Sequence, residues 1–280
     1  MGLGGYLLWT AVAREVAAKS NDPNFKSIPC HIVSKKYYSR VESDIFMNNP
    51  HIAASGESGK FFVLELNNSE INYCKFDNPI KCIQRADKHC IEQMCEYYGI
   101  LDPDLKCEMF LTDEEVSQVD DITSELNEEF ITIEPHSKKD YTPNKEYSFE
   151  KWQNVVNNLS KDIQVVQLGN KDLPILDNVY SLVGKTSFRV AAGVLGRSKL
   201  FMGTEGGLPH AATAMNTTAL VVMTGYQSPV LWSYPQNINI YIGNHGPCGL
   251  KIPCDKCHSD VLSHDETEII QKAREFLNVQ

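Results

Sequence analysis

From Ile163 onward the chain alternates short apolar runs with amphipathic stretches, and this alternation limits the possible folds more than any other feature of the sequence. Strands are predicted at Ile163–Leu168, Lys199–Met202, Ala219–Met223 and Ile238–Ile242, and helices at Thr186–Leu195, Gly207–Met215 and Asp265–Leu277. Strands and helices of this length, taken in turn, build an α/β fold with a parallel sheet and right-handed crossovers. The first half is less regular. It offers strand-like segments at Pro29–Val33, Phe61–Leu66 and Lys106–Leu111, and a helix over Ala86–Tyr98 stopped by Gly99. Thr112 and Glu115 have the spacing of a capping box for an acidic helix over Asp113–Leu126. Phe130–Ile133 reads as a buried strand, and Ser148 caps a helix whose apolar side carries Trp152, Val155, Val156 and Leu159. The polar stretch Ser124–Glu129 places a domain boundary near residue 127, giving units 1–127 and 128–280, with the closing helix 265–277 free to pack back toward the first.

A length of 280 residues suits one large domain or two modest ones. With 42% hydrophobic and 22% charged residues the composition is globular, which excludes general disorder. Lys and Arg number 26 against 36 Asp and Glu, a net charge of −10, so a broad grip on nucleic acid phosphates is not expected. No apolar run approaches the roughly 18–20 residues of a membrane span. The run Leu7–Ala13 lacks a basic region before it and meets Arg14 and Glu15, which makes a poor signal peptide. The expectation is a soluble, cytoplasmic protein whose nine cysteines are mostly reduced thiols.

Three segments could carry chemistry. Gly203-Thr204-Glu205-Gly206-Gly207-Leu208-Pro209-His210 lies between a strand and an Ala-rich helix. Glycines allow close backbone approach, and a helix N-terminus presents free N–H groups to an anion. Glu205 could accept from sugar or ribose hydroxyls and His210 could face a phosphate; the plainer alternative is a tight turn with a capping histidine. The second segment, Glu134-Pro135-His136-Ser137-Lys138-Lys139 with Lys145 beyond it, gathers lysines at a strand end in an acidic chain. The third is Cys248-x5-Cys254-x2-Cys257 with His245 and His258 beside it, ligand types suited to zinc or iron. Free thiols or a local loop staple are the alternatives. Cys74, Cys82, Cys90, Cys95 and Cys107 lack such spacing, and His31, His51 and His89 show no partner pattern. The opening Gly2-Leu3-Gly4-Gly5 reads as a glycine loop before a helix, with almost no room for a preceding strand.

With these segments placed, the chain resembles glycosyltransferase family 9, the ADP-heptose:lipopolysaccharide heptosyltransferase group. The resemblance is most specific in Gly184–Arg189, Gly203–His210 and Ala211–Ala214, and continues through Ala219–Met223 and Gly225–Pro229. Gly4–Ala11 resembles the family's opening, Ile133–Lys145 its donor-diphosphate loop, and Cys248–Cys257 a cysteine cluster found in some members. The resemblance implies a GT-B architecture of two Rossmann-like domains with parallel sheets, the first lacking its initial strand. It implies inverting transfer of a sugar, heptose in the family's name, from a nucleotide-diphosphate donor to a glycan, lipid-linked glycan or protein acceptor, as in lipopolysaccharide biosynthesis. No cofactor is required for such transfer, although the cysteine cluster could hold structural zinc or iron. No nucleic acid partner is implied, and peripheral membrane contact is left open. The donor site would comprise Lys145, His136, Ser137, Thr204, Glu205, Gly206, Gly207 and His210, and the acceptor-side loop Gly4, Gly5 and Tyr6. The family's catalytic acid aligns with Gly5, which cannot take a proton, and leaves Glu134 as the candidate base. The family's loop aspartate aligns with Glu205. Two other functions fit less fully: a non-catalytic nucleotide-sugar or glycan binder, and a GT-B epimerase, which would need several cleft carboxylates.

Overall fold

The computed structural model describes residues 2–71, 74–138 and 140–279. Its first half contains α1 (Leu3–Ser20), β1 (Ser27–Ser34), β2 (Tyr37–Arg40), β3 (Phe62–Glu65), β4 (Cys74–Asn78), β5 (Lys81–Gln84), α2 (Cys90–Tyr97) and α3 (Asp113–Ser124). The second half runs β6 (Phe130–Glu134), α4 (Phe149–Leu159), β7 (Gln164–Gln167), β8 (Tyr180–Ser181), α5 (Phe188–Arg197), β9 (Phe201–Thr204) and α6 (Gly207–Ala214). It continues with β10 (Ala219–Met223), α7 (Pro229–Trp232), β11 (Ile238–Tyr241), α8 (Asp255–Ser263) and α9 (Thr267–Leu277).

The second half forms a six-stranded sheet in the order β11-β10-β9-β6-β7-β8, with every neighbouring pair parallel. Strand alternation gives the sheet two buried faces. Ile131, Ile133, Met202, Leu220 and Val222 join one core with Trp152, Val155 and Val156 of α4 and Ile269 and Ala273 of α9. Phe130, Phe201, Ala219 and Val221 join the other, with Val190 and Val194 of α5, Leu208 and Ala211 of α6, and Leu7, Leu8, Ala11 and Val12 of α1. The smaller sheet, β2-β1-β3, is mixed: β1 pairs parallel with β3, and the hairpin partner β2 adds an antiparallel edge. The expected α/β class is present. Among the described residues no helix is long and apolar enough to cross a membrane.

Several local expectations need correction. The opening glycines are not a loop; Gly4 and Gly5 lie in the first turn of α1. A Cβ on Gly4 would stand 2.9 Å from His210 Cδ2 and 3.3 Å from Gly207 Cα, so glycine there permits α1 to meet α6. Lys106–Leu111 is extended but joins no ladder. Two of its N–H groups go to hydroxyls, Cys107 to Thr213 Oγ1 at 3.3 Å and Glu108 to Thr10 Oγ1 at 2.8 Å, and Lys106 donates to Asp104 O at 2.9 Å. The second helix starts only at Cys90, because His89 caps it through Nδ1. Among the described residues seven cysteines are free, Cys90 and Cys95 of them in the core, while Cys82, a departure from the reduced-thiol expectation, is disulfide-bonded. The hairpin β4–β5 and the helix α8 carry no signal the sequence reading used. That hairpin clasps the second half: Cys82 N–H donates to Gly249 O at 2.8 Å, Lys251 N–H to Ile80 O at 2.8 Å, and Ser228 N–H to Gln84 Oε1 at 3.2 Å. Gly249 has φ +62°, and a Cβ there would sit 2.0 Å from Cys82 O.

One buried charge ties three elements together. Arg189 on α5 donates to both Glu115 oxygens on α3 at 2.7 Å, to Asp44 O at 2.8 Å and to Phe110 O at 2.6 Å. Removing one partner of a buried pair strands the other, which costs about 3–5 kcal/mol. Arg189→Ala is therefore expected to lower unfolding free energy by about that amount at pH 7 in urea titrations. The guanidinium holds the Glu115 carboxyl below its ordinary value. The pair's contribution is thus complete above the ordinary carboxyl range and is lost as pH falls through the lowered value, so the difference between wild type and variant shrinks in acid.

Candidate active site

The centre of the parallel sheet positions the site. β6 and β9 are neighbours, with Glu134 in register with Gly203, so the loops leaving them emerge side by side at the carboxyl ends of the strands. After Glu205, Gly206 is extended and α6 begins at Gly207. Neither α6 nor α1 has a side-chain cap or an acidic residue in its first turn. Their unspent N–H groups and positive dipole ends approach one another where Gly4 meets Gly207.

Lys145 comes to the same place from the β6 side. It ends a 3-10 turn, Pro143–Lys145, capped by the Thr142 hydroxyl. Its ammonium donates to Glu205 Oε2 and lies 5.4 and 5.5 Å from the ring centroids of Tyr141 and Tyr226. The turn is fixed from the far side. Asn144 Nδ2 donates to Leu250 O at 2.7 Å and Ile252 O at 2.8 Å, and Asn144 Oδ1 accepts from Cys254 N–H at 2.9 Å. Thr142 and Thr224 hydroxyls add bonds to Leu250 O and Asn144 O.

Thr204, Glu205 and His210 are buried. His210 Nε2 lies 3.9 Å from Glu205 Oε1, and Nδ1 lies 2.6 Å from Tyr234 Oη. Burial pulls the His210 imidazole down to about 4, against the opposing pull of Glu205, so the ring is neutral at pH 7. Glu134 ends β6, half-buried, and burial pushes its carboxyl up to about 7. His136 and Ser137 are engaged within their own loop. His136 Nε2 meets Pro174 O at 3.0 Å and its ring stacks on Phe149. Ser137 donates to Glu146 Oε2 through both its N–H, at 2.9 Å, and its hydroxyl, at 2.7 Å. Gly5 and Tyr6 lie in the first turns of α1, with the Tyr6 ring edge-on to Phe46.

The cysteine cluster is real in space. Ligand atoms of His245, Cys254 and Cys257 all lie within 4.8 Å of one another, and Cys248 Sγ lies 3.4 Å from Cys257 Sγ. His245 turns Nε2 toward Cys257 Sγ at 3.7 Å and holds Asp260 Oδ2 with Nδ1 at 2.8 Å. A hydrogen bond with Cys257 and the Leu250 N–H hold the Cys248 thiol below its ordinary value.

Lys145, Thr204, Glu205, Gly206, Gly207 and His210, expected from the sequence to share a site, lie in one neighbourhood of the fold. The sequence reading missed Tyr141, Tyr226 and Tyr234, which no spacing rule singles out. Asp260, three residues past Cys257, could have been found as a carboxylate on the same helix as a candidate ligand.

A family model described as glycosyltransferase family 9 (heptosyltransferase) matches residues 87–258. No curated protein matches the chain. Among solved structures, the glycosyl transferase family 9 protein from Veillonella parvula DSM 2008 is similar over 99% of this chain and 94% of its own, with 14% identity and a TM-score of 0.66. The iron-containing dodecameric glycosyltransferase TibC from enterotoxigenic E. coli H10407 is similar over 99% of this chain and 74% of its own, with 14% identity and a TM-score of 0.66. E. coli ADP-heptose lps heptosyltransferase II covers 68% of this chain and 62% of its own, with 17% identity and a TM-score of 0.53. These likenesses carry the fold, an α/β architecture of GT-B type, and the family model spans more than half of the sequence: the chain belongs to glycosyltransferase family 9, the heptosyltransferase family.

Proposed function

We propose that this transferase moves a sugar, heptose by family analogy, from a nucleotide-diphosphate donor to a cell-surface glycan or protein acceptor, with inversion, in the cytoplasm. The observation that carries this reading is the convergence of two uncapped helix N-termini at Gly4 and Gly207 beside the Lys145–Glu205 pair. Such an arrangement suits a diphosphate, because N–H groups, dipole ends and an ammonium all favour negative charge. TibC is solved in complex with ADP-D-beta-D-heptose, which makes ADP-heptose the first donor to try. Thr204, Glu205, Gly206, Gly207 and His210 would hold the donor and Lys145 its diphosphate, while His136 and Ser137 shape the loop that carries Lys145. Gly4, Gly5 and Tyr6 would face the acceptor, and the division between acceptor and donor halves falls at 127/128.

In this mechanism Glu134 takes the proton from the acceptor hydroxyl. The acceptor oxygen attacks the anomeric carbon, and the bond to the leaving phosphate oxygen breaks with its electron pair. A carboxyl raised to about 7 by burial is matched to that task near neutral pH. Gly5, in the first turn of α1 where the family carries its acid, favours the second reading, a non-catalytic nucleotide-sugar binder.

Ligand atoms of His245, Cys254 and Cys257 lie close enough to share one metal ion, with Cys248 the neighbour that would complete a tetrahedron. The Cys248–Cys257 sulfur separation of 3.4 Å is near the roughly 3.8 Å edge of a tetrahedron with ~2.3 Å metal–sulfur bonds. Cys248, Cys254 and Cys257 with His245 would hold zinc or iron, with Asp260 orienting the histidine; the metal would brace the loop rather than enter the transfer. Elemental analysis is expected to find about one zinc or iron per chain, and Cys254→Ser to lose it.

Two further outcomes test the transferase itself. Lys145→Ala and Glu205→Ala should each weaken ADP binding about tenfold or more by calorimetry, the worth of a charge-assisted hydrogen bond; unchanged affinity in both removes the site assignment. Glu134→Gln should lower kcat by about a hundredfold or more with ADP affinity retained. Since the base works only when deprotonated, wild-type kcat/KM should rise with pH to a plateau above about 7, and Glu134→Gln should lack that limb. If ADP-heptose binds but no acceptor supports turnover, the binding reading replaces the catalytic one.

A further inference from the structure

His210 stands in the middle of a buried polar row, of which the donor site uses only one end. Its Nδ1 lies 2.6 Å from Tyr234 Oη, and that oxygen lies 3.4 Å from Cys107 Sγ. On the other side Nε2 faces Glu205 Oε1 at 3.9 Å. All four side chains are buried: Glu205 and His210 share one strand-to-helix junction, Tyr234 lies 24 residues beyond His210, and Cys107 comes from the first half of the chain.

The protons along this row have one consistent order. Tyr234 has a single hydroxyl hydrogen and two neighbours that could accept it. A ring nitrogen is a far better acceptor than a thiol, and the short separation fits O–H···N. The Cys107 thiol then donates to the Tyr234 oxygen. Burial pushes the Cys107 thiol up to about 11 and the Tyr234 phenol well above its ordinary value, so both keep their protons at pH 7. The neutral His210 ring carries one proton, and with Nδ1 accepting, that proton is on Nε2. There it faces a carboxylate, which only accepts. The opposite tautomer would set a nitrogen lone pair against the carboxylate oxygens. The ring is also walled in: Trp232 lies 5.7 Å away at 56°, and the bare Gly4 leaves just enough room for Cδ2.

We propose that Tyr234 is a positioning residue of the transferase: its hydroxyl locks His210 in the Nε2–H tautomer, so that His210 offers the nucleotide-sugar donor a neutral hydrogen-bond donor beside Glu205. The inference rests on the donor-site reading above. A donor that carries its hydrogen before the reaction stabilises the charge developing on the leaving phosphate without any change of protonation. It also leaves His210 with no free lone pair toward the site, so the acceptor's proton goes to Glu134.

The lock is read in ligand-free protein labelled with 15N-histidine, with the His210 signals identified by their loss in His210→Gln. Long-range proton–nitrogen correlations separate a protonated ring nitrogen from a bare one. The wild type should show a bare Nδ1 and a protonated Nε2 between pH 6 and 8. Tyr234→Phe should shift the tautomer ratio toward Nδ1–H about fivefold, the worth of one hydrogen bond, and weaken ADP binding by a similar factor. A protonated Nδ1 in the wild type overturns the proposal, as does an unchanged ratio in Tyr234→Phe; the wild-type spectrum decides alone if the variant does not fold. Failure of the wild type to bind ADP overturns the donor-site reading instead, and is told apart because the tautomer is measured without ligand.

Discussion

At Gly4 and Gly207 two helices approach until backbone meets backbone, and the position of the first half of the chain follows from that approach. α1 lies against α6, itself packed on the face of the parallel sheet that carries Phe130, Phe201 and Val221. Because α1 reaches the sheet through α6, its apolar residues extend one core rather than starting another. The same approach brings two positive helix ends together, a costly arrangement unless something negative lies nearby. Glu205, at the mouth of α6, supplies a fixed negative charge in the ligand-free protein.

That carboxylate does not stand alone. Lys145 reaches it from a turn fixed by Asn144 and Thr142, and the paired rings of Tyr141 and Tyr226 cover one side of the ammonium. A buried pair of this kind is a poor source of net stability, because desolvating both charges offsets most of their attraction. Its retention makes more sense as a store of polarity. When an anion displaces the carboxylate as the partner of Lys145, the desolvation has already been met by folding.

Much of the fold was legible because both faces of the main sheet are buried. Continuous apolar runs such as Ala219–Met223 have no other home, and caps at Thr112 and Ser148 mark helix starts through local chemistry alone. The loop Gly203–His210 was legible because glycines between a strand and a helix have few alternative uses. What the sequence hid depends on distant partners. Lys106–Leu111 has strand-like composition, yet the N–H groups of Cys107 and Glu108 are claimed by the hydroxyls of Thr213 and Thr10. The opening glycines resemble a loop until α6 is set beside them. His136 and Ser137 have the right chemistry for a phosphate, but Glu146 and Pro174 O engage them first. The tyrosines around Lys145 and His210 stand at no spacing that singles them out, even where Tyr141 and Tyr226 fall in segments that resemble the family, and only the folded chain assembles them.

The core shared by α1, α5 and α6 bears on how the molecule can move. Separating the halves as rigid bodies would draw Leu7, Leu8, Ala11 and Val12 away from α6, and each large apolar side chain re-exposed costs roughly 1.5–3 kcal/mol. It would also break the clasp between Ile80–Gln84 and the loop at Gly249. Wide clamshell opening therefore costs several such side chains at once, whereas small displacements of the connecting loops around the packed floor cost little.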